Sequence, residues 1–219
     1  MNHVPFSERA TVRRVARRAS YDPTVLEAIL DEGLVAHAAF DHDGHPFVVP
    51  TAYVRIGREV MVHGAVASRF LKTAGMPMSL CVTLIDGLVY AKSAFHHSVN
   101  YRSVVILGTA RDVTEESEKR KFLDALVERV SPGRSEVVRP PNAKELAATR
   151  VLALPIDEAS AKIRTGGPID DEEDLALAVW AGHLPIGLRA GELVEVDDHG
   201  GVVARPEIPQ HLRSPGFGR

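Results

Sequence analysis

Short apolar runs separated by turn residues constrain the fold of this chain more than any other feature. The first six runs are Leu34–Phe40, Phe47–Arg55, Glu59–His63, Met78–Ile85, Leu88–Ala94 and Arg102–Asp112. Asp43-Gly44, Gly57 and Asp86-Gly87 supply turns of the kind that join β-hairpins. Two more runs, Val151–Ile156 and Ala159–Arg164, read as closing strands. Many short strands with few helices between them favour a closed or nearly closed antiparallel barrel, because closure removes exposed sheet edges.

Helices are few, and they stand at the edges of this pattern. A helix is predicted from Asp22-Pro23 to Glu32, with Asp22 as N-cap and Gly33 as its stop. A second begins at Thr114 and ends before Pro132-Gly133, and its inner face carries apolar residues at helical spacing. Shorter helices are predicted over residues 67–74 and 142–148, residues 175–180 are ambiguous between helix and strand, and a weak hairpin with a mobile tail is expected beyond Leu184.

Composition describes one ordinary globular domain. The chain has 219 residues, 45% hydrophobic and 25% charged, with a net charge of −3, which gives no basic footprint for nucleic acid. The basic run of Arg13, Arg14, Arg17 and Arg18 is the local exception, and it is interpreted as a solvated helix face or mobile arm. The single cysteine, Cys81, excludes a disulfide framework and favours a reducing cytoplasm. We find no apolar stretch approaching the roughly 18 residues of a membrane span, and no apolar core of a signal peptide.

A polar and aromatic segment over residues 93–103 leads directly into the strand that follows. Its hydroxyls, imidazoles and guanidinium cost several kcal/mol, roughly 2 to 7 for a neutral group, when they are buried without partners. A bound polar ligand would satisfy them. Loop residues that cap backbone groups and face water are the equal alternative.

A second cluster covers residues 63–69, where a strand gives way to a helix N-terminus. Such a position binds anions through free backbone N–H groups, and Ser68 and Arg69 add a hydroxyl and a cation. In the simpler alternative Ser68 only caps the helix and Arg69 extends into solvent. His96 and His97 are adjacent and would point to opposite faces of a strand, so no metal site is predicted.

Other chemistry is poorly supported by the sequence. The acidic run at residues 170–174 is interpreted as a solvated, disordered loop. No nucleophile elbow, dinucleotide fingerprint or phosphate P-loop occurs in the chain.

The order of these features resembles one family, the pyridoxamine 5'-phosphate oxidase-like split barrels that bind FMN. Within that family the chain is most similar to the nitroimidazole-resistance, flavin-nucleotide-binding branch. The motifs that carry the resemblance span roughly residues 10–188, and Phe95-His96-His97-Ser98 paired with Asn100-Tyr101-Arg102-Ser103 is the specific part. The others are Val49-Pro50-Thr51-Ala52-Tyr53, His63-Gly64 with Ser68-Arg69, Asp86-Gly87-Leu88-Val89, Ser160-Ala161-Lys162-Ile163-Arg164 and Val179-Trp180-Ala181-Gly182.

The resemblance implies a mainly β, six-stranded antiparallel split barrel with peripheral helices, and a homodimer with FMN where two subunits meet. Val49, Pro50 and Thr51 would lie beside the isoalloxazine ring. Ser68 and Arg69 would hold the phosphate. The remaining cofactor-binding positions that it implies are His63, Gly64, Ser98, Asn100, Tyr101, Arg102, Ser103, Lys162 and Trp180.

Departures from the family pattern limit the activity. The Arg-x-Val-Leu-x-Lys strand of true oxidases is replaced by Phe47-Val48-Val49-Pro50-Thr51, and their closing substrate motif is missing after Trp180. Oxidation of pyridoxamine phosphate is therefore not expected. We expect an FMN-dependent oxidoreductase acting on a small organic or nitro-aromatic acceptor, with His63 or His96 as candidate proton donors.

Two other hypotheses stay open at this point. A non-catalytic binding or sensor protein could hold a flavin, a deazaflavin or, through His63, His96 or His97, a haem. A nucleic-acid-linked regulator would have to use the basic arm, and the expected partners include neither nucleic acid nor membrane. The expected organisation is a basic arm over residues 1–20, the FMN-binding barrel over 21–188, and a hairpin with a flexible tail over 189–219.

Overall fold

The computed structural model describes residues 4–195 and 205–213. Three α-helices are present in these ranges: α1 (Pro23–Glu32), α2 (Glu116–Val130) and α3 (Ala143–Ala148). The strands are β1 (Ala19–Ser20), β2 (Val35–His42), β3 (His45–Ile56), β4 (Glu59–Ala65), β5 (Pro77–Tyr90), β6 (Ser98–Thr109), β7 (Arg111–Asp112), β8 (Thr149–Pro155), β9 (Glu158–Arg164) and β10 (Gly182–Pro185).

All the strands belong to one antiparallel sheet. Its hydrogen-bonded order is β1-β9-β6-β5-β2-β3-β4-β8-β7, and β10 adds to β5 outside that path. The sheet curls around the main core but does not close, because β1 and β7 form two ends that do not pair with each other. The predicted antiparallel split barrel with peripheral helices is confirmed.

The core lies on one face of the curled sheet, as strand alternation requires. Ala36, Ala38 and Phe40 of β2 point inward, and Leu80 and Val82 of β5 meet them from the next strand. Helix α1 closes one end of this core with three residues spaced along one side, Leu26, Ile29 and Leu30. A second, smaller core forms where α2 packs on the other side of β3 and β4, around the fully buried Phe122.

Local signals fixed the first helix and the first hairpin as predicted. The Asp22 carboxylate accepts a hydrogen bond from the Thr24 N–H at 2.9 Å, and Pro23 occupies the first helical position. Asp43 and Gly44 both have positive φ, 55° and 76°, which is the conformation that a two-residue hairpin turn needs.

The end of α1 is tied to the barrel by side chains from two other elements. The buried Tyr53 hydroxyl donates to the Leu30 carbonyl at 2.6 Å, and Arg129 of α2 donates to the same carbonyl at 2.8 Å. Arg129 also contacts the Gly33 carbonyl and lies over the Tyr53 ring, 4.9 Å from its centroid. A Cβ on Gly33 would stand 2.4 Å from Val82, so this junction requires glycine because of the close approach.

The predicted Asp86-Gly87 turn is wrong. Strand β5 runs through it without reversing, with a bulge between Ile85 and Gly87. Two long-range contacts explain the difference: Arg102 on β6 binds the Asp86 carboxylate, and β10 lies so close that a Cβ on Gly87 would be 2.7 Å from the Leu184 carbonyl oxygen. The chain reverses later, between β5 and β6.

Two other elements have boundaries that differ from the predicted ones. The helix predicted over 67–74 is only a 3-10 turn, Phe70–Thr73, although Gly75 does follow it with a positive φ of 79°. The strand predicted from Arg102 begins earlier, at Ser98, and breaks at Ala110 before β7.

The C-terminal predictions fare unevenly. Residues 175–180 form neither an α-helix nor a strand, and β10 pairs with β5 rather than building a hairpin of its own. Residues 196–204 and 214–219, which hold much of the predicted hairpin and tail, lie outside the described residues.

Candidate functional site

The side of the sheet opposite the main core forms an exposed surface, which we call the outer face. It is built from cross-strand rows of β2, β3, β5, β6 and β9, because directly paired residues share a face. Its apolar members include Val35, Val48, Ile85 and Val105, which are 47%, 63%, 49% and 36% exposed. Between them stand small or short side chains, among them Ala39, Ser79, Cys81, Thr83 and Ser103. An exposed apolar surface with small residues at its middle can accept a planar ligand or a second protein surface.

The three residues predicted to line a ring divide between the two faces. Pro50 pairs with His37 on the outer face, whereas Val49 and Thr51 pair with the inward-pointing Ala38 and Ala36. The Thr51 hydroxyl donates to the Ala52 carbonyl at 3.1 Å. Only backbone atoms of Val49 and Thr51 can therefore contribute to a site on the outer face.

Ser103 and Lys162 do lie together on the outer face. They are directly opposite each other on β6 and β9, and the Ser103 hydroxyl donates to the Lys162 carbonyl at 3.3 Å. Tyr101, two residues before Ser103, shares this face and sits opposite Ile85 and Arg164. Ser98 lies farther along β6, opposite Val89.

The predicted phosphate pair lies in the connection between β4 and β5. The Ser68 N–H donates to the Ala65 carbonyl at 2.8 Å, and the exposed Arg69 lies over the Phe47 ring at 5.3 Å from its centroid. The element that follows is one short 3-10 turn, so it offers a weaker dipole than the predicted helix would. Gly64 permits close packing here, since a Cβ would lie 3.0 Å from Leu71.

His63 lies on the side of β4 opposite the main core, but α2 covers the strand there, so its ring is in the smaller core and not on the exposed outer face. Its ring lies 5.6 Å from the Phe122 ring, and its buried Nδ1 has no hydrogen-bond partner among the described residues. Burial lowers the pKa of His63, because charging the ring without a counter-ion is unfavourable there. The residue is therefore a neutral packing group in this structure.

Two polar residues of the 93–103 segment are held by the protein itself. Arg102 forms forked hydrogen bonds with both Glu32 and Asp86, at 2.5 to 2.9 Å, and these carboxylates raise its pKa. The Asn100 amide donates to the Gly166 carbonyl at 3.0 Å and its oxygen accepts from Arg164. Both side chains join neighbouring elements, so their polar atoms are satisfied without a ligand.

An aromatic cluster stands beside the start of β6. Trp180 is 70% exposed and packs against Tyr90, with ring centroids 5.8 Å apart. His97 approaches the same Tyr90 edge-on, at 6.3 Å. The His97 Nδ1 donates to the Ser93 carbonyl at 2.9 Å, which fixes the ring and leaves Nε2 available.

Part of the acidic run is fastened to this cluster rather than solvated throughout. Asp170 accepts from the Lys92 N–H at 2.8 Å, and Asp171 accepts from His96 Nε2 at 3.0 Å. The hydrogen bond to Asp171 raises the pKa of His96, with Asp170 and Asp174 adding to the effect. His96 thus holds a loop in place.

Arg164 was not among the predicted site residues, and His97 was predicted only as one of three possible haem ligands. The signal for Arg164 was present, because it lies two residues after Lys162 on a strand and must share its face. The sequence gives no signal that singles out His97, because two adjacent histidines do not show which imidazole is held by a hydrogen bond. In the described ranges no three His, Cys, Asp or Glu side chains are grouped to hold a metal ion, and no helix is long and apolar enough to cross a membrane.

Comparison with solved structures gives two relatives that match over most of the chain. The flavocytochrome Anf3 from Azotobacter vinelandii is 41% identical, with 95% of this chain and 96% of that chain covered and a TM-score of 0.84. The FAD and haem binding protein from Mycobacterium smegmatis is 38% identical, with 86% and 94% covered and a TM-score of 0.81.

A more distant structure shows the fold alone. A candidate 5-nitroimidazole antibiotic resistance protein from Bacteroides thetaiotaomicron is 17% identical, with 66% of this chain and 86% of that chain covered and a TM-score of 0.53. No curated protein matches this chain. The family model described as pyridoxamine 5'-phosphate oxidase matches residues 22–163. This chain therefore belongs to the pyridoxamine 5'-phosphate oxidase-like split-barrel family.

Proposed function

We propose that this protein is an electron-transfer flavocytochrome that binds both a flavin and a haem. The observation that carries the proposal is the pair of relatives described above, at 41% and 38% identity over most of the chain, one a flavocytochrome and the other a FAD and haem binding protein. Identity at that level along nearly the whole barrel is far closer than a shared fold alone requires. FMN was predicted from the sequence, and the second relative favours the dinucleotide FAD instead.

The flavin is assigned to the outer face. Small side chains at Ser79, Thr83 and Ser103 leave room for a flat ring, and Pro50 and Lys162 border them. The flanking apolar residues need a cover, which a second copy of the chain would supply. We therefore propose a homodimer with the flavin in the seam between the outer faces of two subunits.

The haem is assigned to the aromatic cluster. His97 would hold the haem, because its Nδ1–H donates to a backbone carbonyl and its Nε2 has no partner among the described residues. Tyr90 and Trp180 lie beside it, and the exposed side chains Leu177 and Val179 add apolar surface for a porphyrin. His96 fits less well since Asp171 occupies its Nε2.

When bound, a flavin handles electron pairs and a haem handles single electrons, so together they can pass electrons from a two-electron donor to a one-electron acceptor. The protein's share is to hold the His97 ring in one tautomer, to keep Lys162 and Ser103 beside the flavin, and to exclude water from the seam. The electron acceptor is proposed to be a small molecule, such as the organic or nitro-aromatic compound expected from sequence. Cytoplasmic location is part of the same proposal.

Absorbance of the purified protein tests the cofactors. We expect a flavin band and, after addition of hemin, a Soret band, and mass spectrometry of the released small molecule should identify the flavin. His97→Ala should abolish or shift the Soret band, whereas His37→Ala, which removes an exposed imidazole from the outer face, should leave it unchanged. Absence of flavin uptake by the wild type would overturn the proposal, and an unaltered Soret band in His97→Ala would overturn the ligand assignment.

The dimer is tested by light scattering. Val105→Asp on the outer face should convert a dimer to a monomer, because a carboxylate would be buried at the seam. Val138→Asp changes an equally exposed valine, 36% like Val105, away from that face and serves as the matched control. A wild-type monomer at micromolar concentration would contradict the assignment.

Redox turnover separates this proposal from a binding or sensor protein without catalysis. Reduction of the bound flavin by a reduced nicotinamide, followed by reoxidation with a nitro-aromatic acceptor over many cycles, supports electron transfer. A flavin that accepts electrons only once would favour the sensor.

A further inference from the structure

Arg164, at the end of β9, is a buried cation without a counter-ion among the residues that the structure describes. It is only 5% exposed. Its guanidinium contacts two neutral acceptors, the Asn100 side-chain oxygen and the Gly167 carbonyl at 3.4 Å. Within residues 4–195 and 205–213 no carboxylate lies at ion-pair distance from it. Removing a guanidinium from water without an opposite charge is unfavourable, so binding of an anion beside Arg164 would be stabilising.

The neighbours of Arg164 add positive charge rather than cancel it. Lys162 lies two residues earlier on the same face of β9, and its ammonium makes no ion pair in the described part of the chain. Arg18 directly precedes β1, which pairs with β9 at Ala19 and Lys162. Burial and the charge of Arg18 both lower the pKa of Arg164. Lys162 and Arg164 thus share one edge of the outer face, and Arg18 lies next to the same end of β9.

The acidic residue of β9 cannot neutralise them. Glu158 at the start of the strand is engaged by Arg9, and it lies six residues from Arg164 at the opposite end. By contrast Arg102, one position away in the register on β6, forms ion pairs with the carboxylates of Glu32 and Asp86. The same small region therefore contains one arginine whose charge is fully balanced and one whose charge is not.

We propose that Arg164, Lys162 and Arg18 bind the phosphate groups of a nucleotide ligand. Under the proposed function, on which this inference rests, the ligand is a flavin dinucleotide and the anion is its diphosphate. A diphosphate carries enough negative charge to offset several cations, and a guanidinium offers it a planar fork of donors. Arg164 forms the floor of the site, while Lys162 and Arg18 are half-buried at its opening. The site is separate from Ser68 and Arg69, which sequence had indicated for phosphate.

The test compares ligands that differ only in phosphate content. Riboflavin, FMN, FAD and inorganic pyrophosphate are titrated into the full chain, with flavin fluorescence for the first three and calorimetry for the last. Arg164→Gln and Lys162→Gln should each weaken FAD and pyrophosphate binding about 10- to 100-fold. Arg164→Gln should leave riboflavin binding unchanged, whereas Lys162→Gln, at a residue that also borders the ring, should weaken FAD binding more than riboflavin binding. Arg13→Gln, which removes an exposed arginine of the same N-terminal segment, is the matched control and should change none of them.

The outcomes separate the site from the function. Pyrophosphate binding that depends on Arg164 in a protein that binds no flavin would retain the anion site and overturn the flavocytochrome. Tight FAD binding that is unaffected by either substitution would overturn the anion site and retain the function. Equal losses of affinity for riboflavin and FAD would also overturn the anion site, since they would show a general loss of the fold. Lys162→Gln lies at a half-buried position, so the test does not depend on whether Arg164→Gln folds.

Discussion

Arg102 and Arg164 lie on adjacent strands and could hardly differ more in their surroundings. Arg102 joins α1, the β5 bulge and β6 by gripping Glu32 and Asp86. Arg164 is more deeply buried yet meets only an amide oxygen and a backbone carbonyl. The difference teaches how to sort polar clusters in this barrel: a balanced charge is part of the scaffold, and an unbalanced one points to something that binds there.

The largest effect should come from removing the balanced charge. Arg102→Met leaves two carboxylates facing each other without a cation, and we expect the free energy of unfolding to fall by about 2 to 3 kcal/mol, less than for a fully buried pair because the guanidinium is partly exposed. Urea denaturation measures it. Arg13→Met, which within the described part of the chain loses an ion pair with the exposed Glu8, is the control and should change the value by less than about 0.5 kcal/mol. A loss as small as that of the control would break the comparison.

The bulge next to Asp86 should be nearly as sensitive. Gly87→Ala places a Cβ against the Leu184 carbonyl, so β10 must shift, and we expect a loss of about 1 to 2 kcal/mol. Gly57→Ala is an instructive partner, because its Cβ would meet nothing and its cost comes only from the positive φ of 59°. Faster hydrogen exchange over residues 182–185 in Gly87→Ala alone would confirm that β10 detaches, and unchanged exchange would contradict it.

A weaker, exposed pair gives a pH-dependent version of the same contrast. The pKa of His96 is raised by Asp171, so the contact is complete below the ordinary value of about 6.5 and is lost as pH rises through the folded pKa. Trp180, the single tryptophan of the chain, lies on the segment that follows Asp171. Its fluorescence should therefore titrate with a midpoint above pH 6.5 and flatten in His96→Gln. A titration that persists in His96→Gln but disappears in His97→Gln would assign it to the other ring.

The smallest effect is expected at Arg164 itself. Replacing it with methionine removes an uncompensated buried charge and also two hydrogen bonds, so the two contributions oppose each other. In protein dialysed free of phosphate and nucleotide, Arg164→Met should change the free energy of unfolding by less than about 1 kcal/mol. Destabilisation as large as that of Arg102→Met would show that the two arginines are alike after all.

Sequence reasoning predicted those elements whose causes are local. The start of α1 depends on Asp22 and Pro23, and the first hairpin depends on Asp43 and Gly44, all of which are readable in the chain. The continuity of β5 was missed because it depends on residues distant in sequence, Arg102 and Leu184, that reach the same Asp-Gly step. An Asp-Gly pair predicts a turn only when no distant residue binds the aspartate carboxylate.

The candidate site shows the same division. The alternation of β9 could place Lys162 and Arg164 on one face, and the family resemblance brought Ser103 and Lys162 together. What could not be read was which groups the protein uses for itself, because Asn100 and Arg102 are satisfied by Arg164, Glu32 and Asp86 across the fold. The density of polar residues predicted a binding region, but it did not show which side chain lacks a partner within the protein.

The grip of Arg129 on the last turn of α1 has a mechanical consequence. Arg129 belongs to α2, which packs outside the barrel, and it binds carbonyls at the end of α1, which closes one end of the main core. If either helix detached, these polar groups would lose their hydrogen bonds. Unfolding should therefore proceed as one cooperative event, in which α1 and α2 unfold together and not one after the other.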